Sequence, residues 1–161
     1  MTKVDLLDSL QAFTQAAVKD VILPVKIQKS GEEQQYRAAD VYKMRLPDSS
    51  AATKKAPYII HQIITSKDDQ QEGQLPDSSA VVRTIFCVYC DDEQEGAMML
   101  LELIERLRIE LLRHIVIGEQ FMLDLKKGME VLIYPDDTAP YYAGEMVSNW
   151  TFPSVEREVV L

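Results

Sequence analysis

The fold is decided by one stretch, Ala80 to Ile117, which reads AVVRTIFCVYC, then DDEQEG, then AMMLLELIERLRIELLRHIVI. β-Branched and aromatic residues dominate its first segment, which is apolar on both of its alternating faces. One face carries Val82, Phe86 and Val88, and the other carries Val81, Ile85 and Tyr89. This segment therefore predicts a central strand that is covered on both sides rather than an edge strand.

The end of the same stretch has the spacing of a long amphipathic helix, because apolar residues recur every three or four positions. This predicted apolar stripe consists of Ala97, Leu100, Leu101, Ile104, Leu107, Leu111 and Ile115. Asp92 is followed three residues later by Glu95, a pattern typical of a helix start. Glu102 precedes Arg106 by four residues, which predicts an ion pair on the helix surface. A buried strand that leads into this helix is the predicted core.

The composition indicates a single domain of 161 residues with a net charge of -9, from 26 acidic and 17 basic residues. This balance argues against a basic surface that wraps duplex DNA, although DNA can pass near such a protein without binding. No apolar run approaches the roughly 20 residues of a membrane helix. The opening MTKVDLLDSL lacks the apolar core of a signal peptide. We therefore expect a reducing cytoplasm, in which the two cysteines stay free thiols.

The segments before the central strand alternate between apolar patterns and polar loops. Their predicted elements are a helix from Val4 to Val18, an edge strand from Asp20 to Gln28 that contains Pro24, a turn from Lys29 to Gln35, a loop from Pro47 to Pro57, a strand from Tyr58 to Ser66, and a long acidic loop from Lys67 to Ser79. Arg37 to Arg45 fits a helix or a strand, and we favour a strand.

The segments after the long helix predict more strands. Phe121 to Leu125 and Glu130 to Tyr134 are expected to form a hairpin around Lys126-Lys127-Gly128, and the alternating Glu145 to Phe152 closes the sheet. Most connections are too short for crossover helices, which predicts an α+β fold. Its mainly antiparallel sheet is packed by the long amphipathic helix and the N-terminal helix. The single domain comprises a helix (1–19), the sheet and long helix (20–153) and a C-terminal tail (154–161).

Cysteine and histidine are the first candidates for a chemical site. Cys87 and Cys90 match the C-x-x-C pattern of redox and zinc sites, but residues three apart in a strand point to opposite faces. We therefore interpret them as buried structural thiols. His61 lies in the middle of a strand and His114 in the last turn of the long helix, and neither is near a nucleophile elbow. We expect no catalytic role for either histidine.

The acidic runs and the repeated segments predict no chemistry either. Asp68-Asp69, Asp91-Asp92-Glu93 and Asp136-Asp137 are interpreted as solvated charge rather than as a hydrolase or cation site. Asn149-Trp150-Thr151 matches a glycosylation sequon by chance, since no secretion signal accompanies it. The hexapeptide LPDSSA occurs at residues 46–51 and 75–80, which we interpret as shared turn chemistry. No phosphate-binding or nucleophile motif is present, so the sequence predicts no enzyme, cofactor or metal.

Two stretches, Tyr89 to Leu112 and Tyr141 to Pro153, resemble the tail-terminator and head–tail-joining family of long-tailed phages and prophages. In that family an acidic turn with a Glu-Gly pair leads into a helix with an ERIR-like segment, and a Gly-Glu-Met, Trp and Pro pattern follows near the C-terminus. The matching residues are Glu95-Gly96, Glu105-Arg106-Leu107-Arg108, Gly144-Glu145-Met146, Trp150 and Pro153. Ala56 to Ile63 is similar to another strand of the family.

The resemblance implies an α+β subunit that assembles into a homo-oligomeric ring, typically a hexamer. Such a ring caps the tail tube, contacts the head connector and lets DNA pass through its lumen. It is built in the host bacterial cytoplasm and then belongs to the virion tail, and it has no active site. Two alternatives stay open: another head–tail connector or tail component, and a small cytoplasmic enzyme or ligand-binding domain that uses His61 or the acidic clusters.

Overall fold

Two helices and nine strands make up the described part of the computed structural model, which comprises residues 2–27, 29–47, 55–135 and 138–158. In chain order they are α1 (Lys3–Val18), β1 (Leu23–Val25), β2 (Gln35–Arg37), β3 (Asp40–Lys43), β4 (Tyr58–Asp69), β5 (Asp77–Tyr89), α2 (Glu93–His114), β6 (Val116–Ile117), β7 (Phe121–Leu123), β8 (Glu130–Ile133) and β9 (Tyr141–Phe152).

The main sheet has the strand order β3-β4-β5-β9-β7-β6, and β8 also pairs with β9. The β3–β4 pair is parallel, whereas β5 pairs antiparallel with both β4 and β9. The predicted α+β class with a mainly antiparallel sheet is therefore confirmed. The strand predicted with Pro24 shrinks to β1, which pairs with β2 in a separate two-stranded sheet, and the segment from Arg37 to Arg45 is divided between β2 and β3.

Both helices pack on one face of the main sheet and bury the core there. Its largest fully buried side chains are Trp150, Phe86, Phe121, Leu6, Leu10, Ile59, Leu100, Leu103, Ile104, Leu107, Leu111 and Met146. The other face of β5 is buried at its Cys87 and Tyr89 end, whereas Val81 and Ile85 are partly exposed. The prediction that both faces of this strand are covered is thus wrong for its first half, because the helices cover one face.

α2 begins where the sequence predicts, at Asp92, whose carboxylate accepts hydrogen bonds from the backbone N–H groups of Gln94 and Glu95 at 3.0 Å. Its buried stripe is rotated from the predicted one. Leu103 is fully buried, whereas Leu101 is 41% exposed and Ala97 is also exposed. The rotation arises because α2 packs against α1 as well as against the sheet.

The packing of the two helices also decides the ion pairs of α2. Arg106 bonds Asp20, just beyond α1, with 2.7 Å between Nη1 and Oδ1. The predicted pair between Glu102 and Arg106 is therefore wrong, because the guanidinium points toward the neighbouring helix. α1 itself matches its prediction and starts with a capping box between Thr2 and Asp5.

The predicted acidic loop from Lys67 to Ser79 is too long, because its first three and last three residues belong to the strands of a long hairpin. β4 continues to Asp69 and β5 begins at Asp77, and these two residues are partners in the register. The hairpin thus has a short connection, residues 70–76. The polar residues at the ends of β4 and β5 still pair through their backbones. The side chains of residues 65–69 are exposed to solvent. The second LPDSSA copy lies mainly in β5, and positions 48–51 of the first lie outside the described residues.

β7 and β8 do not form the predicted hairpin with each other. Both pair with β9, β7 near Trp150 and β8 between Gly144 and Val147, so they lie end to end along one edge. β9 is 12 residues long and begins four residues earlier than predicted, at Tyr141, which provides room for both short strands. The remaining strand, β6, was not predicted, and it pairs with β7.

Candidate functional site

The contact between α2 and β9 brings together several of the residues on which the family resemblance rests. A Cβ atom on Gly96 of α2 would overlap the ring of Tyr142 on β9. A Cβ atom on Gly144 of β9 would lie 3.2 Å from Cδ1 of Ile104 on α2 and 3.0 Å from the carbonyl oxygen of Leu132. Each element therefore uses a glycine to admit a large side chain of the other, and these two glycines set the close approach of helix and strand.

The other motif residues are also structural. Arg108 makes a bidentate pair with Glu105 at 2.7 and 2.9 Å on the surface of α2. Met146 and Trp150 are fully buried on the core face of β9, and the Trp150 indole N–H donates to the Ser148 hydroxyl at 2.8 Å. The first contact lies within α2 and the second within β9, and neither forms a reactive group.

His61 lies in the core between α1 and the sheet. Its Nε2 is 2.8 Å from the Thr14 hydroxyl on α1, and its Nδ1 is 2.8 Å from the Thr84 hydroxyl on β5. Complete burial lowers the pKa of His61 to about 3, so the ring is neutral at pH 7. A neutral imidazole has one donor and one acceptor nitrogen, and the two hydroxyls satisfy both. His61 therefore fastens α1 to the sheet and is not exposed to a substrate.

His114 lies in the last turn of α2, as predicted, and it is exposed. Its ring packs edge-on against Phe13 with 5.3 Å between the ring centroids. Its Nδ1 lies 2.9 Å from the backbone carbonyl of Glu110. These contacts connect the ends of the two helices, and the two histidines are not brought together.

Cys87 and Cys90 are both buried free thiols. Cys87 lies in β5, in a small cluster with Tyr58 and Tyr89 on the sheet face opposite the helices. Burial raises the pKa of the Cys87 thiol to about 11, which keeps it protonated and unreactive at neutral pH. Cys90 follows the end of β5, and its backbone N–H donates to the Pro140 carbonyl at 3.0 Å. Burial of both thiols agrees with the interpretation of structural thiols, whereas the prediction that both lie within the strand is wrong for Cys90, since β5 ends at Tyr89.

The variants Cys87→Ser and Cys90→Ser are expected to keep the wild-type oligomeric state and metal content. Each buries a hydroxyl, which costs about 1–3 kcal/mol of stability when the hydroxyl lacks a partner. The loss should be smaller at Cys87, because the Tyr58 hydroxyl that hydrogen-bonds its thiol can bond the introduced hydroxyl. Elemental analysis and intact-mass spectrometry check this prediction. Stoichiometric zinc, or a disulfide between Cys87 and Cys90, would contradict it.

The two acidic runs that the structure describes lie at opposite ends of β5 and do not converge on one site. Among the described residues, no group of three or more His, Cys, Asp or Glu side chains has an arrangement that could hold a metal ion. Asp68 and Asp69 end β4, Asp91 and Asp92 precede α2, and the predicted Asp136-Asp137 run lies outside the described residues. Asn149 of the sequon lies in β9, where its side-chain amide donates to the Gly128 carbonyl at 3.3 Å.

Exposed apolar side chains beside charged residues mark three surfaces that sequence reasoning missed. Leu75 and Val155 are 86% and 83% exposed at the tip of the β4–β5 hairpin. Met98 is 53% exposed on the outward face of α2, and Leu125 is 49% exposed in the turn after β7. In the sequence, these surfaces are marked only by apolar residues at positions that do not fit the periodicity of the buried face. That signal becomes readable only when the orientation of each element is known.

Among the described residues, no helix has the length and apolarity to cross a membrane. No protein-family model matches the chain, and the search of curated proteins found no significant match.

Proposed function

We propose that the protein is a tail-terminator-like subunit of a long-tailed phage or prophage. In this proposal identical copies form a ring, as a hexamer, that caps the tail tube and contacts the head connector. DNA passes through the lumen without sequence-specific binding. The subunit catalyses nothing, is made in the host bacterial cytoplasm and is then part of the virion tail.

One observation carries the proposal: the two separate stretches that resemble the family pack against each other. Residues 89–112 form the end of β5 and most of α2, and residues 141–153 contain β9. Gly96 and Gly144, which belong to the two motifs, each receive a side chain from the other stretch. Motif residues that are distant in sequence therefore serve one helix–strand contact, as expected when a family shares a fold rather than an active site.

Two further features suit a ring subunit. The β4–β5 hairpin extends to an exposed tip, and the segment after β9 lies against it, since the Ser154 hydroxyl donates to the Pro76 carbonyl at 2.9 Å. A projecting ribbon of this kind can reach a neighbouring copy in an assembly. The net charge of -9 suits a conduit that must not bind the DNA backbone.

The alternative of an enzyme or ligand-binding domain would use His61 or the acidic clusters as its functional residues, and their placement does not favour such a role. His61 is completely buried and bonded on both ring nitrogens, and His114 is held against α1. The two described acidic runs, Asp68-Asp69 and Asp91-Asp92-Glu93, lie apart. No specific observation on the described residues favours a reaction, so we retain assembly as the proposed function.

The test is deletion of this gene from a phage or prophage that encodes it. Electron microscopy should show filled heads together with unattached tails, many of them of abnormal length. A plasmid copy of the wild-type gene should restore joined particles, which excludes an effect on neighbouring genes. Normal infectious particles from the deletion strain would contradict the proposal.

A further inference from the structure

The outward face of the first half of α2 is acidic and contains a groove in which methionine side chains lie among acidic and polar ones. Asp92, Glu95, Met98 and Glu102, together called the acidic surface, line a groove of about 530 Å³. Met98 is a flexible apolar side chain, and 53% of it is exposed to solvent. Within the described part of the chain, none of the three carboxylates makes an ion pair with a base. The surface thus presents an exposed methionine beside carboxylates that no basic side chain pairs with, of which Asp92 also caps α2.

The turn after β7 has the complementary character. Leu125, Lys126 and Lys127, together called the lysine turn, are all exposed, with Leu125 at 49%. Among the described residues, neither lysine makes an ion pair with a carboxylate. The lysine turn therefore presents one apolar side chain beside two lysines that make no ion pair, and Lys127 lines a polar groove with Asp69, Asp77 and Asp124.

The lysine turn is held in a defined shape by β9. The Asp124 N–H donates to the Asn149 carbonyl at 2.8 Å, and the Asn149 amide donates to the Gly128 carbonyl at 3.3 Å. Within the turn, the Gly128 N–H donates to the Leu125 carbonyl at 3.1 Å, with Gly128 at a φ of 79° that suits glycine. A preorganised turn loses little entropy when it binds a partner.

The two surfaces lie too far apart to meet within one molecule. The acidic surface is near Gly96, which contacts Tyr142 on β9, whereas the lysine turn is bonded to Asn149 on the same strand. Those two positions are separated by about 23 Å along a strand that rises about 3.3 Å per residue. A contact between the two surfaces must therefore join different copies. When each copy binds two different neighbours through its two surfaces, the contact is heterologous, the type that generates rings.

We propose that the acidic surface of one copy binds the lysine turn of the next copy in the ring. This inference rests on the proposed function and identifies the contact by which the ring closes. Leu125 inserts beside Met98 in the groove, and the two lysines face Glu95 and Glu102. The apolar contact supplies affinity, and the charges select head-to-tail orientation because acidic surfaces repel one another.

Charge reversal tests this contact. Lys126→Glu/Lys127→Glu should raise the apparent dissociation constant of the oligomer by about tenfold or more. Glu95→Lys/Glu102→Lys should do the same, and an equimolar mixture of the two variants should regain association. The matched control is Lys19→Glu/Lys29→Glu, which makes the same change in net charge at two other exposed lysines and should associate like the wild type. Analytical ultracentrifugation over a range of concentrations measures all four proteins and the mixture.

Cysteine cross-linking captures the contact even when association is weak. Met98→Cys/Leu125→Cys should give a ladder of disulfide-linked oligomers on mild oxidation, whereas the natural cysteines are buried. Met98→Cys/Leu132→Cys is the matched control, because Leu132 is 53% exposed on β8, and it should give no ladder.

The outcomes separate this contact from the proposed function. A wild-type oligomer that the Lys126→Glu/Lys127→Glu variant also forms, with no ladder from Met98→Cys/Leu125→Cys, overturns the contact and leaves the ring intact. A wild-type chain that stays monomeric without any cross-linked ladder overturns both. Loss of association in both charge variants, with recovery in their mixture, establishes the contact.

Discussion

Ile104→Ala is expected to lower the free energy of unfolding by about 2–5 kcal/mol, the usual range for removing a large buried aliphatic side chain. Ile104 is fully buried on α2, and its Cδ1 atom lies where Gly144 leaves space on β9. Truncation would leave a cavity at the contact that aligns helix and sheet. The surrounding backbone cannot collapse freely, because α2 also packs against β5 and α1.

The matched control for this variant is Ile109→Ala, which makes the same chemical change on the same helix. Ile109 is 42% exposed, so its truncation should change stability by no more than about 0.5 kcal/mol. Urea unfolding followed by circular dichroism measures both variants. Equal losses at the two positions would show that the orientation of α2 on the sheet is wrong.

Acid should destabilise the protein through His61 by about 2–3 kcal/mol between pH 7.5 and pH 4.5. Burial lowers the pKa of His61 to about 3 in the folded state, from 6.5 in the unfolded chain. Below pH 6.5 the unfolded state therefore binds a proton that the folded state excludes. The contribution of His61 to stability is complete above pH 6.5 and is lost as the pH falls toward 3.

His61→Gln removes the titrating group and should flatten this part of the pH dependence, although it changes the packing around Thr14 and Thr84. His114→Gln, at the exposed histidine on α2, is the control and should retain the wild-type dependence. The measurement is the free energy of unfolding in urea at several pH values. The same acid sensitivity in wild type and His61→Gln would show that the buried ring is not responsible.

These two predictions concern the core, whereas the proposed contact between copies concerns the surface. Ile104 and His61 are both fully buried on the helix side of the sheet, and Lys126, Lys127, Glu95 and Glu102 are exposed. Charge reversal at the surface should therefore weaken assembly and leave the unfolding free energy nearly unchanged. Measuring both quantities on each variant separates a failure to assemble from a failure to fold.

The sequence by itself determined the elements whose patterns are strong and local. The apolar period and the Asp92 cap predicted α2, and alternating β-branched residues predicted β4, β5 and β9. Short connections then predicted the antiparallel sheet. The interpretation of Cys87 and Cys90 as structural thiols followed from the alternation of side chains along a predicted strand. Each of these inferences depends on neighbours along the chain, which the sequence shows directly.

The tertiary structure alone decided the features that depend on neighbours from elsewhere in the chain. Because α1 packs against α2, Leu103 rather than Leu101 is buried in the core. For the same reason Arg106 pairs with Asp20 rather than with Glu102. The packing of α1 against the sheet, rather than any local pattern, buried His61.

The length of the strands, and the placement of the short ones, were likewise decided by pairing. The β4–β5 ladder extended both strands through the polar residues from Lys67 to Asp69 and from Asp77 to Ser79, which a local pattern predicts as a loop. The long edge of β9 separated β7 from β8 and positioned the lysine turn far from the acidic surface. Backbone pairing and side-chain packing between distant segments outweigh local propensity, which is why only the folded chain displays these surfaces.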